Sequence, residues 1–178
     1  RNNFILKNVE LNQYIDIHKY EYEKSFNSSS RQKVRNCFKR NISFKKLTLD
    51  QYQHAYEIIK SNQERRNYEL SMSWEQLKEM TVLFPERFIN FGLFNNKKMI
   101  ASAICILINK KILYLFYWGM IEEEEKLSPL AFLTYSIIDY CKSSKFSIFD
   151  LGTSSKNSKS NYGLIKFKKG LGTISCNK

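Results

Sequence analysis

The hydrophobic and polar positions divide the chain into a polar first part and a more apolar second part. Residues 4–9 have the pattern of a short strand. Residues 11–40 are polar and typical of helices, with a break at 27–30, where a serine cluster favours a turn and Ser30 is placed to cap the next helix. Residues 42–47 alternate between apolar and polar side chains. This alternation predicts a second strand.

Two helices are predicted between that strand and residue 85. Apolar residues recur at three- and four-residue intervals from Tyr52 onward, after the possible capping residues Thr48 and Asp50. Ser73 is followed three residues later by Gln76, which is a capping-box pattern. The second helix is expected to end near Pro85.

The remainder of the chain predicts most of the sheet. Three apolar runs at 88–94, 99–108 and 112–120 are separated by short polar turns, which indicates an antiparallel meander. Ser128 as cap and Pro129 at the first position begin an apolar helix. A strand at 146–151 follows, so the connection from 112–120 through this helix predicts a parallel strand pair. A short helix at 162–169 and a strand at 173–176 complete an α+β fold with a mixed sheet.

Length and cysteine usage limit the class of protein. A chain of 178 residues suits one domain. We expect residues 1–41 to form an N-terminal strand and helical segment, possibly the end of a truncated region, and residues 42–178 to form the main domain. The four cysteines are far apart and have no C-x-x-C spacing, which disfavours zinc sites and disulfide frameworks and predicts a cytoplasmic protein. The run 99–108 is too short to span a membrane, which needs about 20 apolar residues.

The charge indicates an anionic partner. The formal net charge is +12. After Leu151 the chain contains no Asp or Glu but has six lysines, at positions 156, 159, 166, 168, 169 and 178. Such a surface suits tRNA or a nucleotide-linked substrate, although a solvated basic face explains the same composition.

The most specific pattern lies in the last third of the chain. A strand ending in Phe149-Asp150-Leu151-Gly152 is followed by Asn161-Tyr162-Gly163, the pair Phe167-Lys168, and Gly170-Leu171-Gly172. This pattern resembles the FemAB-like branch of the GNAT superfamily of acyltransferases. The resemblance implies a mixed sheet with flanking helices, in which the fourth and fifth strands of that fold, here 112–120 and 146–151, are parallel and splay apart at one end. An acyl donor would bind in the gap.

The resemblance also implies roles for individual residues. Acyl transfer to an amine needs hydrogen-bond donors for an oxyanion, a group that takes the amine's proton, and a group that protonates the leaving atom. The expected catalytic residues are Lys168, Tyr162 and Asp150. The residues expected to bind the donor are Tyr117, Trp118, Gly119, Met120, Gly152 and Phe167. Each also has a structural interpretation: a loop cap for Asp150, solvent exposure for Lys168, and packing for the aromatic residues. No metal site is predicted.

The turn at 121–127 departs from the acyl-CoA-using pattern. It contains four consecutive glutamates instead of a glycine-rich basic turn, and these would repel a pyrophosphate. The alternatives are that the acidic run folds back on a basic face or contacts a cationic acceptor. Acyl-CoA is nevertheless the expected co-substrate, because one domain is smaller than the tRNA-using Fem proteins. Aminoacyl-tRNA is the alternative. The acceptor is expected to be an amine of a small molecule, a nucleotide-linked compound or a cell-envelope precursor. A non-catalytic nucleic-acid-binding module and an interaction scaffold remain open alternatives.

Overall fold

A computed structural model describes residues 9–156 and 158–177. The strand predicted at 4–9 falls outside these residues except for Val9. In chain order the elements are β1 (Leu11–Asp16), α1 (Tyr22–Ser25), α2 (Ser28–Lys39), β2 (Ser43–Lys46), α3 (Tyr52–Glu64), α4 (Trp74–Leu83), β3 (Phe88–Asn95), β4 (Lys98–Asn109), β5 (Ile112–Met120), α5 (Leu130–Ser143), β6 (Ile148–Thr153), β7 (Ser155–Lys156), β8 (Lys159–Ser160), α6 (Tyr162–Lys169) and β9 (Ile174–Asn177). Two short 3₁₀ turns, Leu49–Gln51 and Glu122–Glu124, precede α3 and α5.

A seven-stranded mixed sheet forms the centre of the molecule. Its strand order is β2-β3-β4-β5-β6-β1-β9, and β7 and β8 form a separate hairpin. Strands β5 and β6 are parallel, and the other neighbouring pairs of the sheet are antiparallel. The predicted meander, the parallel pair and the α+β class are therefore confirmed.

The helices cover both faces of the sheet. One apolar cluster joins Val34 and Cys37 of α2 and the buried side of α5 to one face. The other cluster joins Ile59 of α3 and Leu77 of α4 to the opposite face. Since β3 and the first part of β4 are covered on both sides, residues 88–94 and 99–105 are all buried and form continuous, mostly apolar runs. Each fully buried aliphatic or aromatic side chain contributes roughly 1.5–3 kcal/mol to this packing.

Strand β1 corrects the prediction of helix from residue 11. It lies between β6 and β9 and pairs with both. The sequence hides the strand because Asn12 and Gln13 are buried but hydrogen-bonded: Asn12 donates to Asp150, and Gln13 donates to Thr173 and accepts from Ser154. Buried polar side chains with partners break the apolar pattern without breaking the strand. Within the described part of the 1–41 segment, β1 thus belongs to the same sheet as the other strands, and α2 packs on that sheet.

Two predicted caps are wrong. Helix α2 is capped by Asn27, whose side chain accepts a hydrogen bond from the Ser30 amide, and not by Ser30. Ser128 does not cap α5, because its backbone is left-handed, with φ of 52°, and the helix begins at Leu130 after Pro129. The predicted capping box at Ser73 and Gln76 is confirmed.

The length and hydropathy of the helices determine whether one of them could span a membrane. Among residues 9–156 and 158–177, every helix is too short or too polar to cross a bilayer.

Candidate active site

A gap opens in the sheet between β5 and β6. The two strands are paired only where Ile112, Leu113 and Tyr114 lie opposite Ile148, Phe149 and Asp150. Beyond this point β5 is bent by a bulge, because Tyr117 pairs with Ile104 and Leu115 with Cys105, which leaves Phe116 as the extra residue. Strand β6 turns at Gly152, whose φ of 73° is a left-handed conformation suited to glycine. The predicted splay is therefore present.

Lys168 occupies the carbonyl groups at the β6 edge of the gap. Its Nζ donates to the carbonyl oxygens of Leu151, Gly152 and Thr153 at 2.8, 2.9 and 3.0 Å. The side chain is 2% exposed, which excludes the alternative interpretation of Lys168 as a solvent-exposed lysine. An ammonium has three donors, and all three are used. Lys168 thus takes the place of a neighbouring strand for these carbonyls.

Helix α3 occupies the carbonyl groups at the β5 edge. Gln63 Nε2 donates to the Trp118 carbonyl, and Arg65 Nη2 donates to the Met120 carbonyl, both at 3.3 Å. The Ile121 amide bonds to the Ile100 carbonyl in β4, so the residues that face β4 alternate with those that face the gap. The amides of Trp118 and Met120 therefore point into the gap.

This arrangement gives the gap an excess of hydrogen-bond donors. Side-chain N–H groups hold the carbonyls of both edges, while two backbone amides of β5 remain directed into the space. Positioned donors in a site of this kind stabilise the negative charge that develops on a carbonyl oxygen under nucleophilic attack. The chemistry that the geometry supports is addition to a carbonyl.

The gap between β5 and β6 opens into two adjoining cavities. The smaller, about 160 Å³, is lined by Tyr117, Gly152 and Lys168 among others. The larger, about 1240 Å³, is lined by Trp118, Met120, Tyr162 and Phe167 among others. Trp118 and Leu164 line both cavities. The structure thus brings seven of the nine predicted site residues together around one connected space.

Gly119 and Asp150 do not line either cavity. A Cβ atom on Gly119 would lie 2.7 Å from the Ile59 Cα, so this glycine lets α3 approach β5 closely. The Asp150 carboxylate accepts hydrogen bonds from the Gly152 amide at 2.8 Å and from Asn12 at 3.0 Å. In this structure Asp150 shapes the loop after β6 through these hydrogen bonds, and its side chain does not line the cavities.

The aromatic residues have different surroundings. Tyr162 is 81% exposed at the start of α6, after the cap formed by Asn161. The rings of Trp118 and Phe167 are tilted against one another, with centroids 5.7 Å apart. The Tyr117 hydroxyl bonds to the Ser71 hydroxyl and accepts from the Met72 amide, so it fixes the segment between α3 and α4.

The acidic turn after β5 folds back on a basic face. Its four carboxylates each lie within 4 Å of a cation, in the pairs Glu122–Arg65, Glu123–Lys98, Glu124–Arg40 and Glu125–Arg66. The amides of Ile121, Glu125, Leu127 and Ser128 donate to main-chain carbonyls. Because these amides are occupied and the carboxylates are negative, the turn is a poor site for a pyrophosphate.

Sequence reasoning missed the residues that α3 contributes. Asn62, Gln63 and Arg66 line the large cavity, although they lie more than 50 positions before the end of β5. The only feature of the sequence that could have indicated these residues was their position at the polar C-terminal end of a predicted helix. Tyr68 also lines the cavity, and its hydroxyl accepts from Asn161.

The comparison with solved structures decides the fold. A structure described as FemX superposes on 100% of this chain with a TM-score of 0.80 and 15% identity. The chain has the GNAT fold in its FemAB-like form. Two other structures with this fold are L-PGS from Bacillus licheniformis, with a TM-score of 0.70 and 10% identity over 96% of the chain, and the C-terminal domain of a putative lysylphosphatidylglycerol synthetase from Agrobacterium fabrum, with a TM-score of 0.68 and 12% identity over 94% of the chain.

The chain spans only part of these proteins. It covers 62% of the FemX chain, 60% of L-PGS and 58% of the Agrobacterium domain. An aminoglycoside acetyltransferase from a soil metagenome shares the GNAT fold over 72% of this chain and 86% of its own, with a TM-score of 0.52 and 12% identity. The sequence matches no protein-family model and no curated protein.

Proposed function

We propose that this GNAT-fold chain is an N-acyltransferase that binds the donor carbonyl in the gap between β5 and β6. The observation that carries the proposal is the distribution of hydrogen bonds around the gap. Gln63, Arg65 and Lys168 occupy the edge carbonyls, and the amides of Trp118 and Met120 face the open space. An acyl oxygen that enters this space finds donors already oriented toward it.

The proposed reaction proceeds by addition and elimination. The acceptor amine attacks the donor carbonyl carbon and forms the C–N bond, and the carbonyl electron pair moves to the oxygen, where the two amides stabilise it. The pair then returns, the C–O or C–S bond to the leaving group breaks, and the amine gives up its proton to water. In this proposal Tyr162, which lines the large cavity, gives a proton to the leaving atom and regains one from solvent, to which 81% of its surface is exposed.

The acidic turn disfavours acyl-CoA, and an aminoacyl ester carried by tRNA is therefore the first candidate donor. A pyrophosphate, which every CoA donor carries, would meet four carboxylates and occupied amides at this turn. The cavity rim also carries Arg66 and Lys159, which suit a nucleic-acid backbone. The resemblance of the Phe167-Lys168 pattern to FemAB-like proteins, a branch that includes tRNA-using transferases, favours the same donor.

Acyl-CoA is the second candidate donor. The observation that favours it is the likeness to the aminoglycoside acetyltransferase, whose own length is mostly covered by this chain. The acceptor in both cases is proposed to be the amine of a small or nucleotide-linked molecule that enters through the large cavity.

A donor comparison tests the proposal. The protein is incubated with bulk tRNA charged with radiolabelled amino acids, or with labelled acetyl-CoA, together with a panel of primary amines that includes lysine, putrescine and an amino sugar. We expect amide formation from charged tRNA. Tight binding of tRNA that falls steeply with salt, without transfer from either donor, would instead indicate a nucleic-acid-binding module.

A matched pair of variants links any transfer to the gap. Leu164 lines both cavities, so Leu164→Trp should fill the passage between them and lower transfer by about tenfold or more. Lys166→Trp places the same ring on the exposed side of α6 and should leave transfer within about twofold. Equal activity in both variants would contradict the proposed location.

A further inference from the structure

Asn62 is a buried residue in the wall of the large cavity, and its Nδ2 has no hydrogen-bond partner among the described residues. Its side chain is 3% exposed, and it lines the cavity. Among the described residues, nothing accepts a hydrogen bond from its Nδ2. Because about 90% or more of buried polar groups in proteins are paired, an unpaired amide beside a cavity indicates that a ligand supplies the partner.

The position of Asn62 places it above the donor groups of the gap. It lies in the last turn of α3, directly before Gln63, which holds the Trp118 carbonyl at 3.3 Å. A Cβ atom built on Gly119 would be 3.1 Å from the Asn62 Cβ. Asn62 therefore packs on the strand between the two residues, Trp118 and Met120, whose amides point into the gap.

We propose that the Asn62 side chain donates a hydrogen bond to the carbonyl oxygen of the acyl donor and stabilises the oxyanion together with the Trp118 and Met120 amides. This inference rests on the proposed function. Rotation about the last side-chain torsion exchanges the amide nitrogen and oxygen without changing the shape of the residue, so the nitrogen can face the cavity when the donor binds. Asn62 exchanges no proton; it only donates while the carbonyl oxygen carries the negative charge.

Two substitutions separate this role from a packing role. Asn62→Leu keeps the branching and the number of heavy atoms and removes the amide, and Asn62→Asp keeps the shape but replaces the donor with a charge. For Asn62→Leu we expect kcat and kcat/KM for the donor to fall together by about tenfold or more, since an interaction made only in the transition state is lost. Resistance to urea should be equal to or greater than that of the parent, because an unpaired polar group leaves the interior.

Asn90 provides a matched control. It is 1% exposed, and both polar atoms of its side chain are also unpaired within the described chain, but it does not line the cavity. Asn90→Leu should change stability while leaving transfer within about twofold. A loss of transfer in Asn90→Leu as large as that in Asn62→Leu would overturn the inference, because the effect would then belong to the core.

The other possible results of these measurements also bear on the inference. Transfer by Asn62→Leu within about twofold of the parent overturns the inference and leaves the proposed function in place. A rise in KM for the acceptor amine at unchanged kcat overturns it in favour of acceptor binding. If Asn62→Leu does not fold, Asn62→Ala, which adds no bulk, is measured against the same expectations. Absence of transfer by the parent from both charged tRNA and acetyl-CoA contradicts the proposed function itself.

Discussion

The Lys168 Nζ lies 2.9 Å from the carbonyl oxygen of Gly152, which would otherwise need a hydrogen-bond donor from β5. Together with the bonds to Leu151 and Thr153, this contact keeps the end of β6 apart from β5. Lys168 is therefore a positioning residue for the gap, and its nitrogen has no donor left for a substrate. The site depends on it through the carbonyls that it holds.

Replacing Lys168 with Met should destabilise the protein and the site together. Two buried carbonyls and one partly buried carbonyl lose their donor, and we expect the free energy of unfolding to fall by about 2–4 kcal/mol. Urea unfolding followed by circular dichroism measures this change. Lys169→Met is the control, because Lys169 is exposed on the same helix and should change stability by less than about 0.5 kcal/mol. Equal effects of the two substitutions would argue against the role of Lys168.

The charge of Lys168 predicts a dependence of stability on pH. Burial lowers the pKa of the Lys168 ammonium to about 8, and the negative charge of Asp150 opposes this shift. The unfolded chain, with an ordinary lysine pKa of about 10.4, binds more protons in the interval between these values. The contribution of Lys168 to the free energy of unfolding should therefore rise with pH between about 8 and about 10.4, by at most about 1.4 kcal/mol per pH unit.

A comparison with Lys168→Met isolates this contribution. Urea unfolding of the parent and the variant at several pH values gives the difference between their free energies of unfolding. That difference should be constant below about pH 7 and should grow in favour of the parent above about pH 8. A difference that stays constant up to pH 10 would show that the pKa of Lys168 is not lowered.

Gly119→Ala should disturb the packing of α3 on β5. The new methyl group would meet the backbone of Ile59 at 2.7 Å, where nothing can move cheaply, so we expect a loss of about 1–3 kcal/mol. In Gly163→Ala the methyl group meets only the Asn161 Oδ1 at 3.6 Å in the first turn of α6. That variant should be neutral or more stable by up to about 1 kcal/mol. Thermal unfolding measures the melting temperature of each variant. Equal melting temperatures of the two variants would contradict the prediction.

Removing the charge of Glu125 should strengthen binding of tRNA. Glu125 lies at the rim of the large cavity, where it pairs with Arg66 at 3.5 Å. Glu125→Gln frees the guanidinium and removes a repulsive charge, so the affinity for bulk tRNA should rise by about two- to fivefold at low salt. Fluorescence titration measures the affinity, and the gain should shrink at 0.5 M salt. Glu57→Gln, outside the cavity on α3, should not show it.

The sequence predicted the sheet better than it predicted the site. The apolar runs of β3 and β4 and the loop-helix pattern around α5 are local signals, and the parallel pair followed from them. The Phe167-Lys168 pair could be located by its resemblance to a family, but its surroundings could not, because the flanking Lys166 and Lys169 are exposed and give Lys168 the appearance of a surface residue.

The contribution of α3 lay beyond sequence reasoning for a geometric reason. Gln63 and Trp118 are separated by 55 positions and meet only because Gly119 admits the helix close to β5. Strand β1 was hidden for an energetic reason. The polar side chains of Asn12 and Gln13 find partners in β6, α6 and the segment between α6 and β9, so their burial leaves no trace in the hydrophobic pattern.

The insertion of β1 between β6 and β9 has a consequence for how the chain folds. The bond from Asn12 to Asp150 joins residues 138 positions apart, so β1 can pair with β6 only after the chain has been synthesised as far as Asp150. Closing so long a loop slows folding, and the β6 edge gains its second neighbouring strand only at that step. A nascent chain that contains the meander but not yet β6 would still lack the gap, so the proposed transfer activity should appear only after residues 148–153 have been synthesised.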